Sequence, residues 1–367
     1  MNHDGGTVRR LRRVLIAVSM LAALLAIFVI AVILYWKTYL LEPSADPFSR
    51  GPYLTRLSET EARLRWRLDD DRPVRLRAVT ADGSTVEARD GTFTGLQPGT
   101  PYSWSADVGG RTRAAGTFTT APERLSGPID FAVIGDYGSG NDHQYAVGRE
   151  LAAGRPQFIL TAGDNSYIAA VPPLLDRNIF EPFRDAMRGA PIWATMGEHD
   201  MVWRDGQAIT DALELPGEAG RYTVRYGPVQ VVLLGLEADA SAIPFAREAL
   251  SEPGPEVRFV VVHRPVRTGN PILPVLREAG VAAVFAGHLH RYEREVLDGV
   301  LQFTVGTSGQ GAGNEDFTLA TPGAESSLLD YGLLRVQVTP EGASYVFVDE
   351  RGRVLDRDTR GLSGREP

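Results

Sequence analysis

No cysteine occurs in the 367 residues. That excludes disulfides, thiolate metal sites and cysteine nucleophiles at once. Any metal must then be held by histidine, carboxylate, tyrosine or amide oxygen, donors that suit Fe, Mn, Zn, Mg or Ca. Lysine is nearly absent as well. Lys37 is the only one, so arginine carries almost all the positive charge, a compositional bias rather than a functional device. Histidine is scarce, at six. Positive charge is in deficit overall, with a net charge of -8, which argues against a nucleic-acid-binding surface. Phosphate substrates stay open, because a bound metal overrides a global acidic balance locally. Internal repeats and low-complexity tracts are also missing.

The first feature present is a charge-free apolar run over residues 14–36. At about 1.5 Å per residue a helix of that length spans a bilayer core. Arg9, Arg10, Arg12 and Arg13 precede it, and only Lys37 follows closely. The positive-inside rule places residues 1–13 in the cytoplasm and everything after the run outside it. Tyr35, Trp36 and Tyr39 suit the outer interface. A cleaved signal peptide is the rival reading. The run is long for such a segment, and residues 40–45 offer no small-x-small cleavage site.

Residues 37–49 read as a tether, rich in Pro, Ser and Asp towards its end. Residues 50–121 read as all-β. Ala62, Leu64, Trp66 and Leu68 alternate with Arg63, Arg65 and Arg67, and Asp82-Gly83 and Asp90-Gly91 supply turns. About seven short strands predict a small β-sandwich that acts as a spacer or packing partner. The segment from Thr94 to Tyr102 resembles the turn before a late strand in fibronectin type III domains. From residue 129 the pattern changes. Continuous apolar runs at 129–134, 158–162, 231–236, 259–262 and 281–286 alternate with helical spacing at 244–250 and 271–279. This predicts an α/β domain over 129–350 with strands buried on both faces, followed by a tail at 351–367.

The apolar runs end on chemistry. They lead into Gly135-Asp136, Gly163-Asp164, His263 and Gly287-His288-Leu289-His290, and Met196 leads into Gly197-Glu198-His199-Asp200. In open α/β sheets the carboxyl ends of strands are where ligands bind. One histidine at a strand end is usually a polar core residue; four of six there, beside carboxylates, point to a metal centre.

The series Gly135-Asp136-Tyr137-Gly138, Gly163-Asp164-x-x-Tyr167, Gly197-x-His199-Asp200, Val260-x-x-His263 and Gly287-His288-x-His290 resembles purple acid phosphatases within the calcineurin-like metallophosphoesterases. Arg291-Tyr292-Glu293-Arg294 and Arg50-Gly51-Pro52-Tyr53-Leu54 are similar too, so the resemblance covers about residues 50–350. It implies a β-sandwich flanked by helices as the catalytic fold, two metal ions, and hydrolysis of phosphate monoesters by metal-activated hydroxide. Asp136, Tyr167 and His290 would hold Fe(III). Asp164 would bridge, and His263 and His288 would hold a divalent Fe, Zn or Mn. His199 would contact the phosphate or protonate the leaving alkoxide.

One position departs from that pattern. Glu198 stands where the family has an asparagine ligand. It remains a competent ligand but adds a negative charge, which weakens the pull on a phosphate dianion. A phosphodiesterase or nucleotide hydrolase is therefore an alternative, and a non-catalytic surface module is a remoter one. His143 reads as a surface residue. Arg264, Arg291 and Arg294 are candidates for attracting phosphate, with ion pairs the preferred role for the last two. The loops 203–220 and 306–321 are expected to set the substrate.

Overall fold

The structure, a computed structural model, describes residues 4–40, 47–217, 220–311 and 320–362. The chain divides into two compact units, Met1–Ala45 and Asp46–Pro367. The first is a helix, Asp4–Leu40. Its stretch Leu15–Leu34 has a mean hydropathy of 3.0 and is nowhere buried, so it is long and apolar enough to cross a membrane. The helix runs into the expected tether at one end, and the first strand, Phe48–Leu57, enters it at the other. Residues 41–46 lie outside the described residues.

The second unit opens with seven strands in two antiparallel sheets. Phe48–Leu57, Glu61–Leu68 and Thr92–Thr94 form one sheet in that order. The other runs Thr85–Glu87, Val74–Val79, Pro101–Val108, Arg111–Thr119. The period-two pattern has a direct outcome: Ala62, Leu64, Leu76 and Ala78 are buried while the intervening arginines face outward. Three of those arginines, with Arg50, then bind the α/β part. Arg63 and Arg65 meet Glu214 at 2.8 and 3.4 Å. Arg50 and Arg67 meet Asp176 at 2.5 and 2.7 Å.

The α/β part consists of two mixed sheets packed face to face. The six-stranded sheet runs Ile192–Ala194, Phe158–Thr161, Ile129–Ile134, Gly332–Thr339, Gly342–Asp349, Val354–Arg360. Its first three strands are parallel. The seven-stranded sheet runs Arg221–Tyr226, Val229–Leu234, Val257–Val261, Ala283–Ala286, Val300–Val305, Tyr292–Leu297, Ser326–Leu328. The four strands from Val229–Leu234 to Val300–Val305 are parallel.

Alternation explains how one apolar run serves two cores. Val231, Leu233, Phe259, Val261 and Phe285 point inward to the other sheet. Val232, Leu234, Val260, Val262 and Val284 point outward, beneath the helices Ala242–Ser251 and Ile272–Glu278. Aromatic rings join the sheets: Phe131 lies 5.2 Å from Phe259, and Tyr292 stacks on Phe347 at 4.1 Å. Each such side chain contributes roughly 1.5–3 kcal/mol by burial. The expected tail at 351–367 needs correction. Val354–Arg360 is the edge strand of the six-stranded sheet, because it pairs antiparallel with Gly342–Asp349, and Arg360 meets Glu325 at 3.2 Å.

Candidate metal centre

The site lies at the carboxyl ends of the parallel strands of both sheets. Strands Ile129–Ile134, Phe158–Thr161 and Ile192–Ala194 are neighbours, and they lead into Asp136, Asp164 and Glu198. Strands Val257–Val261 and Ala283–Ala286 are neighbours in the facing sheet and lead into His263, His288 and His290. Sheet topology thus gathers residues that lie up to 154 positions apart (290 minus 136) in sequence.

The turns that carry these side chains are tight. Asp136, Asp164 and His288 adopt left-handed φ of 52°, 50° and 66°. Residues other than glycine rarely hold such values unless the surroundings enforce them, and they cluster at functional sites. Gly163, at φ 90°, has no room for a side chain: a Cβ there would lie 2.4 Å from His263 Nδ1. A Cβ on Gly287 would lie 2.4 Å from Asp136 Oδ2.

Two overlapping groups result. Glu198, His263 and His288 bring one ligand atom each to within 4.8 Å of one another, and so do Asp136, Asp164 and His263. Glu198 Oε1 lies 2.6 Å from His288 Nδ1, and Oε2 lies 2.8 Å from His263 Nε2. The last two atoms are buried and are not aligned as a hydrogen bond. Close donor atoms without a hydrogen bond between them suit ligands of one ion. His263 Nδ1 sits 2.7 Å from the Ala162 carbonyl, which fixes the ring and leaves Nε2 facing the site. On the other side Tyr167 donates its hydroxyl to Asp136 at 3.3 Å and lies 3.2 Å from His290 Nε2. His290 Nε2 is 3.5 Å from Asp136.

Without a cation the electrostatics are costly. Burial and the neighbouring Asp136 push the Asp164 carboxyl up. Burial and the same two carboxylates push the Tyr167 phenol up. Burial works against the charged form of His263, yet Glu198 and the aspartates prevail and push it up to about 9. Burial likewise opposes a raised value at His290, and Asp136 outweighs it. Burial also opposes ionisation of Glu198, but its two histidines hold the carboxyl well below the usual range. A crowd of buried anions drawing protons onto histidines is a site built for positive charge. The oxygen and nitrogen donors present fit two hard or borderline ions.

His199 stands apart, on the rim. Its ring lies tilted against Tyr167 at 4.3 Å, and its backbone N–H donates to Asp164 at 3.0 Å. Four further side chains, His143, Arg264, Arg291 and Arg294, meet carboxylates. His143 stacks on Tyr331 at 3.8 Å and meets Glu350 at 2.6 Å, away from the other histidines. Arg291 pairs with Glu293 at 3.1 Å, and Arg294 with Asp356 at 2.9 Å. Arg264 pairs with Glu237 and lies 3.8 Å from Glu198. In loop 203–220 the helix Gln207–Leu213 serves partly as a domain contact, since the Ala212 carbonyl accepts from Tyr53 at 2.7 Å. Residues 218–219 and 312–319 of the two expected specificity loops lie outside the described residues.

Sequence reasoning gave no role to the residues that hold the ligand loops. Asp200 is fully buried and accepts from the backbone N–H of Asn165, Ser166 and Gly197 at 3.1, 3.1 and 2.9 Å. Asn165 Oδ1 accepts from Tyr137 at 2.7 Å, and its amide reaches Asp200 at 2.7 Å. Asn178 donates to the Tyr167 carbonyl at 2.7 Å. Asp200 and Asn165 sit inside the recognised motifs. Asn178 had no signal, because it arrives from a separate helical turn.

Residues 129–292 match the calcineurin-like phosphoesterase family. No curated protein matches the chain. The fold is similar to that of PhoD, with a TM-score of 0.63 and 13% identity over 87% of this chain and 90% of the other. It is also similar to GAP50, the anchor in the inner membrane complex of Plasmodium, with a TM-score of 0.53, 15% identity and coverage of 65% and 90%.

Proposed function

We propose that this chain, whose residues 129–292 match the calcineurin-like phosphoesterase family, is a membrane-anchored phosphomonoesterase of purple acid phosphatase type. One observation carries the finer assignment: the Tyr167 hydroxyl reaches both Asp136 and His290. That placement suits a phenolate ligand, and Fe(III) is the ion that such a ligand favours. Asp136, Tyr167 and His290 would hold Fe(III). Asp164 would bridge. Glu198, His263 and His288 would hold a divalent Fe, Zn or Mn. When bound, two such ions supply Lewis acidity and an acidified water for phosphoester hydrolysis.

The protein's own groups do the rest. The Ala162 carbonyl orients His263, and Asp200 locks the two loops that carry Asp164 and Glu198. His199, half-buried at the rim beside Tyr167, would give a proton to the leaving alkoxide. The apolar stretch Leu15–Leu34 would be the anchor, with the catalytic unit extracytoplasmic by the arginine bias before it. The β-domain is read as fibronectin III-like, a reading supported by its three-plus-four strand order.

A second reading rests on Glu198, whose carboxylate reaches both histidines of its group. The added negative charge favours a phosphodiester, which carries less charge than a monoester. Metal analysis of the purified chain, with hydrolysis of an aryl monophosphate and the matching diester, tests both readings. Two metals per chain, a visible phenolate band and monoester turnover are expected. A chain that binds no metal after iron and zinc loading would sink both. Diester turnover exceeding monoester turnover selects the second.

A further inference from the structure

Outside the N-terminal helix, few large apolar side chains are exposed among the described residues. They are Ile168, Val202, Val296, Leu329 and Val354. Two stand well above the rest: Ile168 is 82% exposed and Val202 is 67% exposed. Both flank His199. The Ile168 carbonyl lies 3.4 Å from His199 Nδ1, and Ile168 directly follows Tyr167. Val202 follows the helical turn Glu198–Met201, three positions after His199 and four after Glu198. Residues three and four apart share one helical face, so Val202 stands on the side that carries both site residues.

Leaving such surface in water costs roughly 25 cal/mol per Å² of apolar area, with no fold-level return. Scattered exposed apolar residues need no explanation, but here the two most exposed each adjoin a segment that carries site residues, Ile168 at His199 and Val202 at the end of the turn Glu198–Met201. The candidate ligands are charged or polar and suit the phosphate end of an ester. The apolar pair lies beside the group placed to protonate the leaving oxygen, which is where the alcohol part of a bound ester must project.

Resting on the phosphoesterase reading above, we infer that Ile168 and Val202 form an apolar lip that selects phosphate esters of apolar alcohols over esters of polar ones. Hydrolysis then breaks the P–O bond to the alcohol. Water adds its oxygen to phosphorus, and the alcohol leaves with a proton. The lip takes part in no bond change. It only gathers the alcohol's hydrocarbon surface out of water.

The test measures kcat/KM of the metal-loaded full-length chain for octyl phosphate, 2-naphthyl phosphate and glycerol phosphate. The same set is run on Ile168→Ser/Val202→Ser and on Val202→Ser alone, since neither side chain makes a hydrogen bond. The wild type should prefer the apolar esters over glycerol phosphate by about tenfold or more. The double variant should lose most of that preference while its glycerol phosphate value stays within about twofold. The single variant should lose part of it. A preference for octyl alone would mark a lipid-like alcohol, and for naphthyl alone an aryl one. An unchanged ratio in both variants overturns the lip while the phosphoesterase reading stands. A wild type that hydrolyses none of the three overturns that reading and the lip with it.

Discussion

Glu198 is the residue on which the chemistry turns. Its two oxygens reach His288 and His263 at 2.6 and 2.8 Å, so it stands where an amide ligand would stand but brings a full charge. Glu198→Asn should therefore raise monoester kcat/KM relative to diester by several-fold, checked with paired substrates at fixed metal content. An unchanged ratio would remove the charge argument. Asp200 acts differently, through backbone. It satisfies the N–H groups of Asn165, Ser166 and Gly197 and the Asn165 amide, all buried. Asp200→Ala leaves those donors without their acceptor and should cost about 3 kcal/mol in denaturant unfolding. The two motif loops would also lose their common anchor, so metal affinity should fall with stability.

At the scale of elements, the site depends on turns that leave no room. The strand Phe158–Thr161 is followed by Gly163, whose φ of 90° sends the chain back under His263. Gly163→Ala combines a disfavoured backbone conformation with a Cβ 2.4 Å from the imidazole. The expected result is displacement of His263 and a metal content reduced to about half, read by elemental analysis of the folded variant. A variant retaining the wild-type metal content would show that the loop yields more readily than its packing implies. The pattern of strands and helices was legible here. Runs at 129–134 and 259–262 became strands because β-branched and aromatic residues filled both faces. Val354–Arg360 escaped notice, since exposed charged residues give an edge strand no apolar period.

At the scale of the molecule, carboxylates fasten the β-domain to the α/β domain. Burial opposes ionisation of Glu214, but Thr55 and Arg63 prevail and hold its carboxyl below the usual value of 4.5. A carboxyl lowered on folding contributes stability above its unfolded value and loses it as pH falls through the folded one. Glu214→Gln should thus destabilise the chain by about 1 kcal/mol near neutral pH. The gap between variant and wild type should close once pH drops below the ordinary carboxylate range. Thermal unfolding across pH checks this, and a gap that persists in acid would place the effect in packing rather than charge.

The apolar stretch at the N-terminus, the order of an all-β region before an α/β one and the types of the candidate ligands were legible in the sequence alone, because each is local: a run, a period or a residue beside a strand end. The absence of cysteine had already confined any metal to oxygen and nitrogen donors. Convergence was decided only in three dimensions. Parallel neighbours in two facing sheets bring Asp136, Asp164 and Glu198 against His263, His288 and His290, and no local pattern encodes which strands become neighbours. The same holds for Asn178 beneath Tyr167 and for the exposed pair around His199. Their roles come from long-range packing, which a reading along the chain does not contain.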